Sequence, residues 1–135
     1  MAERDLQTLL KSLQIKACDG IWRFETIPAE ASSWAELITL QSVRDIAMLF
    51  QEEEGLTVIL RADTDTPKDN QWAWLELTVY SNLNAVGFLA TISKALAEVN
   101  IPCNAVAAYH HDHIFVPIDK VEAAVTALEG LSASG

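Results

Sequence analysis

The sequence predicts an α+β protein in two halves, and three observations carry that prediction. Half of the 135 residues are apolar and about a fifth are charged, enough apolar surface for a real core. The chain alternates between helical and strand periodicities. Between them lies one stretch, Ala62 to Gln71 (ADTDTPKDNQ), that loses apolar periodicity and gains Asp, Thr, Pro and Asn, the composition of a surface connection. It divides residues 1–66 from residues 67–135.

The elements follow in order. Leu6, Leu9, Leu10 and Leu13 fall at helical spacing behind Asp5, so residues 5–15 read as a short amphipathic helix. Gly20 ends the local structure, and Ile21, Trp22, Phe24 and Ile27 form a strand that stops at Pro28, which lacks an N–H donor. From Pro28 to about Ser42 the pattern fits a helical turn or a strand equally. Ile46–Phe50 and Leu56–Leu60 flank Glu52, Glu53, Glu54 and Gly55 as strand, acidic turn and strand, a hairpin.

The second half is sharper. Trp72, Trp74, Leu75, Leu77, Val79 and Tyr80 form a near-continuous β-prone run, and Asn82, Leu83 and Asn84 make a turn. Val86, Leu89, Ile92, Leu96 and Val99 set the buried stripe of a helix ending at Asn100. Ile101–Tyr109, starting at Pro102, is the next strand, His110, His111 and Asp112 turn, and Ile114–Val116 is the third strand, closed by Pro117. Asp119 offers an N-cap to a last helix that buries Val121, Ala124, Val125, Leu128 and Leu131. The order β-α-β-β-α resembles the ferredoxin-like split βαβ unit, with antiparallel strands and helices on one face.

Charge and motifs exclude several function classes. Nine Lys plus Arg against nineteen Asp plus Glu give a net charge of −10, which repels phosphate backbones and anionic lipid headgroups, so neither nucleic acid nor membrane is an expected partner. Cys18 and Cys103 stand far apart without CxxC spacing and read as reduced thiols. No signal-peptide pattern opens the chain and no apolar run spans a bilayer, so a cytoplasmic protein is expected. GxSxG, Walker A, GxGxxG and HExxH are all missing, so no enzyme and no cofactor are expected. Cys103 beside the histidines imitates a Cys–His pair, but at an apolar strand start it reads as a small hydrophobe. His111 and His113 would share a strand face, and imidazole suits zinc or nickel. A closed site needs three or four ligands, however, and no second His or Cys cluster exists, so no metal is expected. The histidines, and the tryptophans at 22, 34, 72 and 74, read as packing or interface groups.

Three strings carry a family resemblance. LNAVGFLATISKALAEVNI, from Leu83 to Ile101, looks like the first loop, helix and second strand of an ACT domain, the small-molecule-binding regulatory module of amino-acid metabolism; Gly87, Leu89, Ile92 and Leu96 match its pattern. EEEGLTVIL at Glu52–Leu60 and NAVAAYHHDHIFVP at Asn104–Pro117 extend the match to small bacterial proteins of tandem ACT-like halves, similar to the arginine-sensing CASTOR proteins of animals. The resemblance implies a non-catalytic sensor that binds an amino acid or similar zwitterion between ACT-like units, forms a homodimer or larger assembly, and passes its output to a separate effector protein.

The site residues follow from that resemblance together with local chemistry. A loop feeding a helix N-terminus meets unpartnered N–H groups and the positive end of the helix dipole, which suit a carboxylate. Ser81, Asn82, Leu83, Asn84, Val86, Gly87 and Phe88 make that loop and first turn, with Gly87 permitting close approach. They serve equally as ordinary turn and cap residues. Asp112 is placed for a ligand ammonium, or is a turn residue bonded to its own backbone. Asn104 completes the set, and Glu54 is placed for a cationic ligand side chain, or is one charge of a solvated turn. A ligand-independent protein-interaction module is the alternative function.

Overall fold

The computed structural model describes residues 6–28, 30, 35–37, 39, 43–79 and 86–134. Along the chain run α1 (Leu6–Ser12), β1 (Gln14–Ala17), β2 (Trp22–Ile27), β3 (Ile46–Gln51), β4 (Leu56–Arg61), β5 (Trp72–Thr78), α2 (Phe88–Glu98), β6 (Asn104–Ala107), β7 (Asp112–Pro117) and α3 (Val121–Ser134). Short 3-10 turns fill Val43–Asp45, Lys68–Asn70 and Ile118–Lys120. Two compact units emerge, Met1–Asp19 with Ala73–Gly135, and Gly20–Trp72. The sequence boundary at 66/67 and the spatial division are thus different cuts, because the first nineteen residues group with the C-terminal part.

The first unit is α+β with the ferredoxin-like order. β1 pairs antiparallel with β5, placing Ile15 opposite Leu77 and Lys16 opposite Glu76; β5 neighbours β7, and β7 pairs antiparallel with β6. The β-α-β-β-α order read from the sequence lacks a fourth strand, and β1 supplies it from the N-terminus. Alternation along β5 turns Ala73, Leu75 and Leu77 inward, where they meet Leu9, Leu10 and Leu13, Phe88, Ile92 and Leu96 of α2, Ile114 and Val116 of β7, and Ala124 and Leu128 of α3. Each fully buried Leu or Ile contributes about 1.5–3 kcal/mol of transfer free energy.

Several sequence expectations shift here. The α2 stripe is Phe88, Ile92 and Leu96, a run of four-residue steps, whereas Val86 is 82% and Val99 49% exposed. Both lie outside the helix, so helical spacing does not govern them. The helix ends as expected near Asn100, which takes φ 60; Ile101 N–H bonds to Leu96 O (3.0 Å) and Asn100 N–H to Ala97 O (3.0 Å), a Schellman motif. β6 starts at Asn104 rather than at Ile101 or Pro102. Asp112 is the first residue of β7, opposite Ala107, and the bend is centred on Tyr109 and His110. Asp119 lies within the 3-10 turn before α3, so it is not the residue that caps it. Tyr80, the Asn82–Asn84 turn and Trp34 lie outside the described residues.

In the second unit β4 is central, antiparallel to β3 on one side and to β2 on the other. The acidic hairpin is formed as read: Glu52 N–H bonds to Gly55 O (3.0 Å), and Glu52, Glu53 and Glu54 are exposed. Residues 35–37 and 39 are helical, and Leu37 packs with Val58 and Leu60 against Ile27, Ile46 and Leu49. Trp22, 2% exposed, carries the Arg61 guanidinium 4.7 Å above its ring centre, and Asp45 holds Arg61 Nε at 2.9 Å.

Candidate functional site

Gly87 stands as the N-cap of α2 at φ +86, a conformation that suits glycine. Having no side chain, it makes no side-chain cap hydrogen bond, while its carbonyl accepts from both the N–H (3.0 Å) and the hydroxyl (2.9 Å) of Thr91. The first turn of α2 thus carries no acid and no side-chain cap, which leaves the positive end of its dipole uncompensated by its own residues. Val86, immediately before it, is exposed, and the Phe88 side chain is buried in the core, so Phe88 can offer only its backbone. Ser81, Asn82, Leu83 and Asn84 lie outside the described residues.

Contacts between β5 and β7 fix which end of the sheet Asp112 occupies. Trp74 touches Phe115 and His113, and two residues further on Glu76 reaches His111, so advancing along β5 means receding along β7. The strands therefore run antiparallel, and Asp112 sits at the sheet end where β5 finishes and the chain leaves towards Gly87. Burial lifts the Asp112 carboxyl above its ordinary value, while the flanking His113 and His111 imidazoles pull it down. Asn104 is not brought to Asp112: it pairs with Phe115, three positions along the ladder. Glu54 is exposed in the β3–β4 turn of the other compact unit.

A polar and aromatic cluster whose members come from distant parts of the chain lies on the face of β5 opposite the core. Trp74 Nε1–H donates to His113 Nδ1 at 2.9 Å, with the rings edge to face at 5.6 Å. Glu76 Oε2 is 3.7 Å from His111 Nε2, and His111 Nδ1 is buried with no hydrogen-bond partner. Burial holds His113 below its ordinary value against the pull of Glu76. The nearby Cys18 thiol is pushed up by burial and by the Glu76 charge. The signal was present in β5, where Trp72, Trp74, Glu76 and Thr78 alternate with Ala73, Leu75 and Leu77, a two-faced pattern inside an apparently continuous run. Among the described residues no group of three His, Cys, Asp or Glu side chains is placed to hold a metal ion, and no helix is long and apolar enough to cross a membrane.

Comparison with known proteins places this geometry. An ACT domain model matches residues 71–130 and another ACT domain model matches residues 1–66. No curated protein matches the chain. Among solved structures, a Vibrio cholerae protein of unknown function, described as a possible transport protein, is 32% identical, with 94% of this chain and 95% of that one covered and a TM-score of 0.76. The ligand-free regulatory subunit of Thermus thermophilus aspartate kinase shares the fold at 11% identity, covering 89% of this chain and 98% of that one, with a TM-score of 0.65. Clostridium acetobutylicum aspartate kinase matches at 10% identity and a TM-score of 0.68 over 91% of this chain, which spans 34% of that enzyme. With two ACT domain matches in tandem on an α+β fold of this order, the chain belongs to the ACT-domain family.

Proposed function

We propose that this ACT-domain protein is a non-catalytic regulatory sensor that binds a small amino acid or similar zwitterion, acting as a homodimer or larger assembly in the cytoplasm and passing its output to a separate effector protein. The proposed repeats are residues 1–66 and 67–135. The ligand carboxylate is assigned to the Ser81–Gly87 loop and the α2 N-terminus, and its ammonium to Asp112. The observation that carries this reading is the position of Asp112, a half-buried acid at the sheet end where the chain leaves β5 for α2, whose N-cap Gly87 makes no side-chain hydrogen bond and whose first turn has no acid. Opposite charges at one sheet end suit a zwitterion.

Thermal unfolding of the full chain against each of the twenty amino acids tests the reading. A ligand that binds only the folded state stabilises it by about 2.7 kcal/mol at a hundred times its Kd. At millimolar concentration one amino acid, or a chemically close set, is expected to raise Tm by several degrees, and Asp112→Asn is expected to remove that rise while leaving the unliganded Tm within a few degrees. No shift with any amino acid would overturn it.

A further inference from the structure

The Trp74–His113 contact has a consequence that follows from proton counting. An indole N–H only donates, so His113 Nδ1 at 2.9 Å must be the acceptor, which makes the ring neutral with its proton on Nε2. A second proton has one place to go, Nδ1, where it would meet the Trp74 N–H head-on. We propose that Trp74 and His113 form a proton-operated latch between β5 and β7, closed while His113 is neutral and opened when it takes a proton from water.

The groups around the pair supply the alternative state. On β5, Glu76 lies one pleat from Trp74 on the same face, a carboxylate for an imidazolium released from Trp74. Thr78 Oγ1 donates to Glu76 Oε2 at 3.4 Å, and Lys16 stands opposite Glu76 on β1. Cys18, whose N–H bonds to Trp74 O at 2.9 Å, lies at the end of β1 as a thiol. From β7 and the preceding bend come Asp112, His111, which already reaches Glu76 at 3.7 Å, and His110, whose ring centre is 6.4 Å from that of His111. β6 offers no charge, since Val106 is the residue opposite His113. Burial opposes the cation throughout, Glu76 and Asp112 attract it, and His111 opposes it once charged, the balance lying in the direction in which the His113 titration is displaced.

The latch is independent of what ligand the protein binds, and nuclear magnetic resonance of the full chain tests it. Titration from about pH 8 to about pH 5 covers the range in which histidines change charge. His113 is expected to show an unprotonated Nδ1 at neutral pH and a midpoint below 6.5, its ordinary value. The Trp74 indole signal is expected to move with that same midpoint. Trp74→Phe keeps an aromatic ring but removes the donor, so the His113 midpoint should rise. His113→Gln keeps an acceptor that does not titrate, so the Trp74 signal should stay fixed. A proton on Nδ1 at neutral pH, a Trp74 signal that ignores the His113 titration, or an unchanged midpoint in Trp74→Phe would each overturn the latch. Should either variant fail to fold, the wild-type titration alone decides.

Discussion

A single side chain, Asn70, stands in for a strand neighbour. Its Oδ1 accepts from the Phe24 N–H (3.0 Å), its Nδ2 donates to the Phe24 carbonyl (3.0 Å), and Oδ1 also accepts from Trp72 Nε1 (3.1 Å). Phe24 sits on β2, paired on its other side with Ile59 of β4, so without Asn70 its N–H and carbonyl lose these two bonds at a part-buried edge. Three hydrogen bonds at about 0.5–1.5 kcal/mol each, less what water restores, give a loss of about 2 kcal/mol for Asn70→Ala. Asn70→Asp keeps the acceptor but loses the donor and turns a carboxylate oxygen towards the Phe24 carbonyl, so it too should destabilise. Urea unfolding checks both, and an alanine variant within a few tenths of a kcal/mol of wild type would mean that water replaces the side chain. Nothing local announced this role. Lys68, Asp69, Asn70 and Gln71 have the composition of a surface connection, and the partner of Asn70 is 46 residues away.

Elements with strong internal periodicity were legible, and those defined by a distant partner were not. Ile92 and Leu96 of α2, Ala124 and Leu128 of α3, and the hairpin around Glu52–Gly55 could all be read from spacing, because burial follows the period of the helix or strand. β1 could not, since Gln14–Ala17 is four residues long with one large apolar side chain, and its strand character comes from β5, far along the chain. Together with α1, β1 moves the N-terminal residues into the C-terminal core. Leu9, 0% exposed, tests that placement. Leu9→Ala is expected to cost about 2–5 kcal/mol through lost transfer energy and the cavity left behind. Because the chain has two compact units, native-state hydrogen exchange is the appropriate measurement. Protection should fall at Leu75, Leu77 and Val116, and less at Val58 and Ile59. Equal losses in both groups, or a larger loss in the second, would contradict the grouping of α1 with the C-terminal unit.

For the molecule as a whole, the three family strings carried the fold and nominated the site, while the site's arrangement needed the structure. Asp112 looked like a hairpin tip because His and Asp favour bends, but ladder pairing with Ala107 drew it into β7. His113 and Trp74 are 39 residues apart, so their pairing has no sequence signature. Charge acts at this same scale. The chain carries −10 near neutrality, and each proton lost at high pH adds to its self-repulsion. Cys18 and Cys103 are both raised above 9.0, chiefly by burial, so just above that value the folded chain holds thiol protons that the unfolded chain has released. The unfolded state then binds fewer protons, the slope of stability against pH is negative, and stability falls from about 9.0 upward until the folded thiols also ionise. Two causes therefore add on the alkaline side, and they separate experimentally. Salt shortens the Debye length from about 10 Å at 0.1 M to about 3 Å at 1 M, which should recover the self-repulsion part. Replacing both cysteines by alanine should flatten the thiol part and leave the salt response intact. Chemical denaturation at a series of alkaline pH values measures both, and a double variant with the wild-type slope would show that the thiols do not set it.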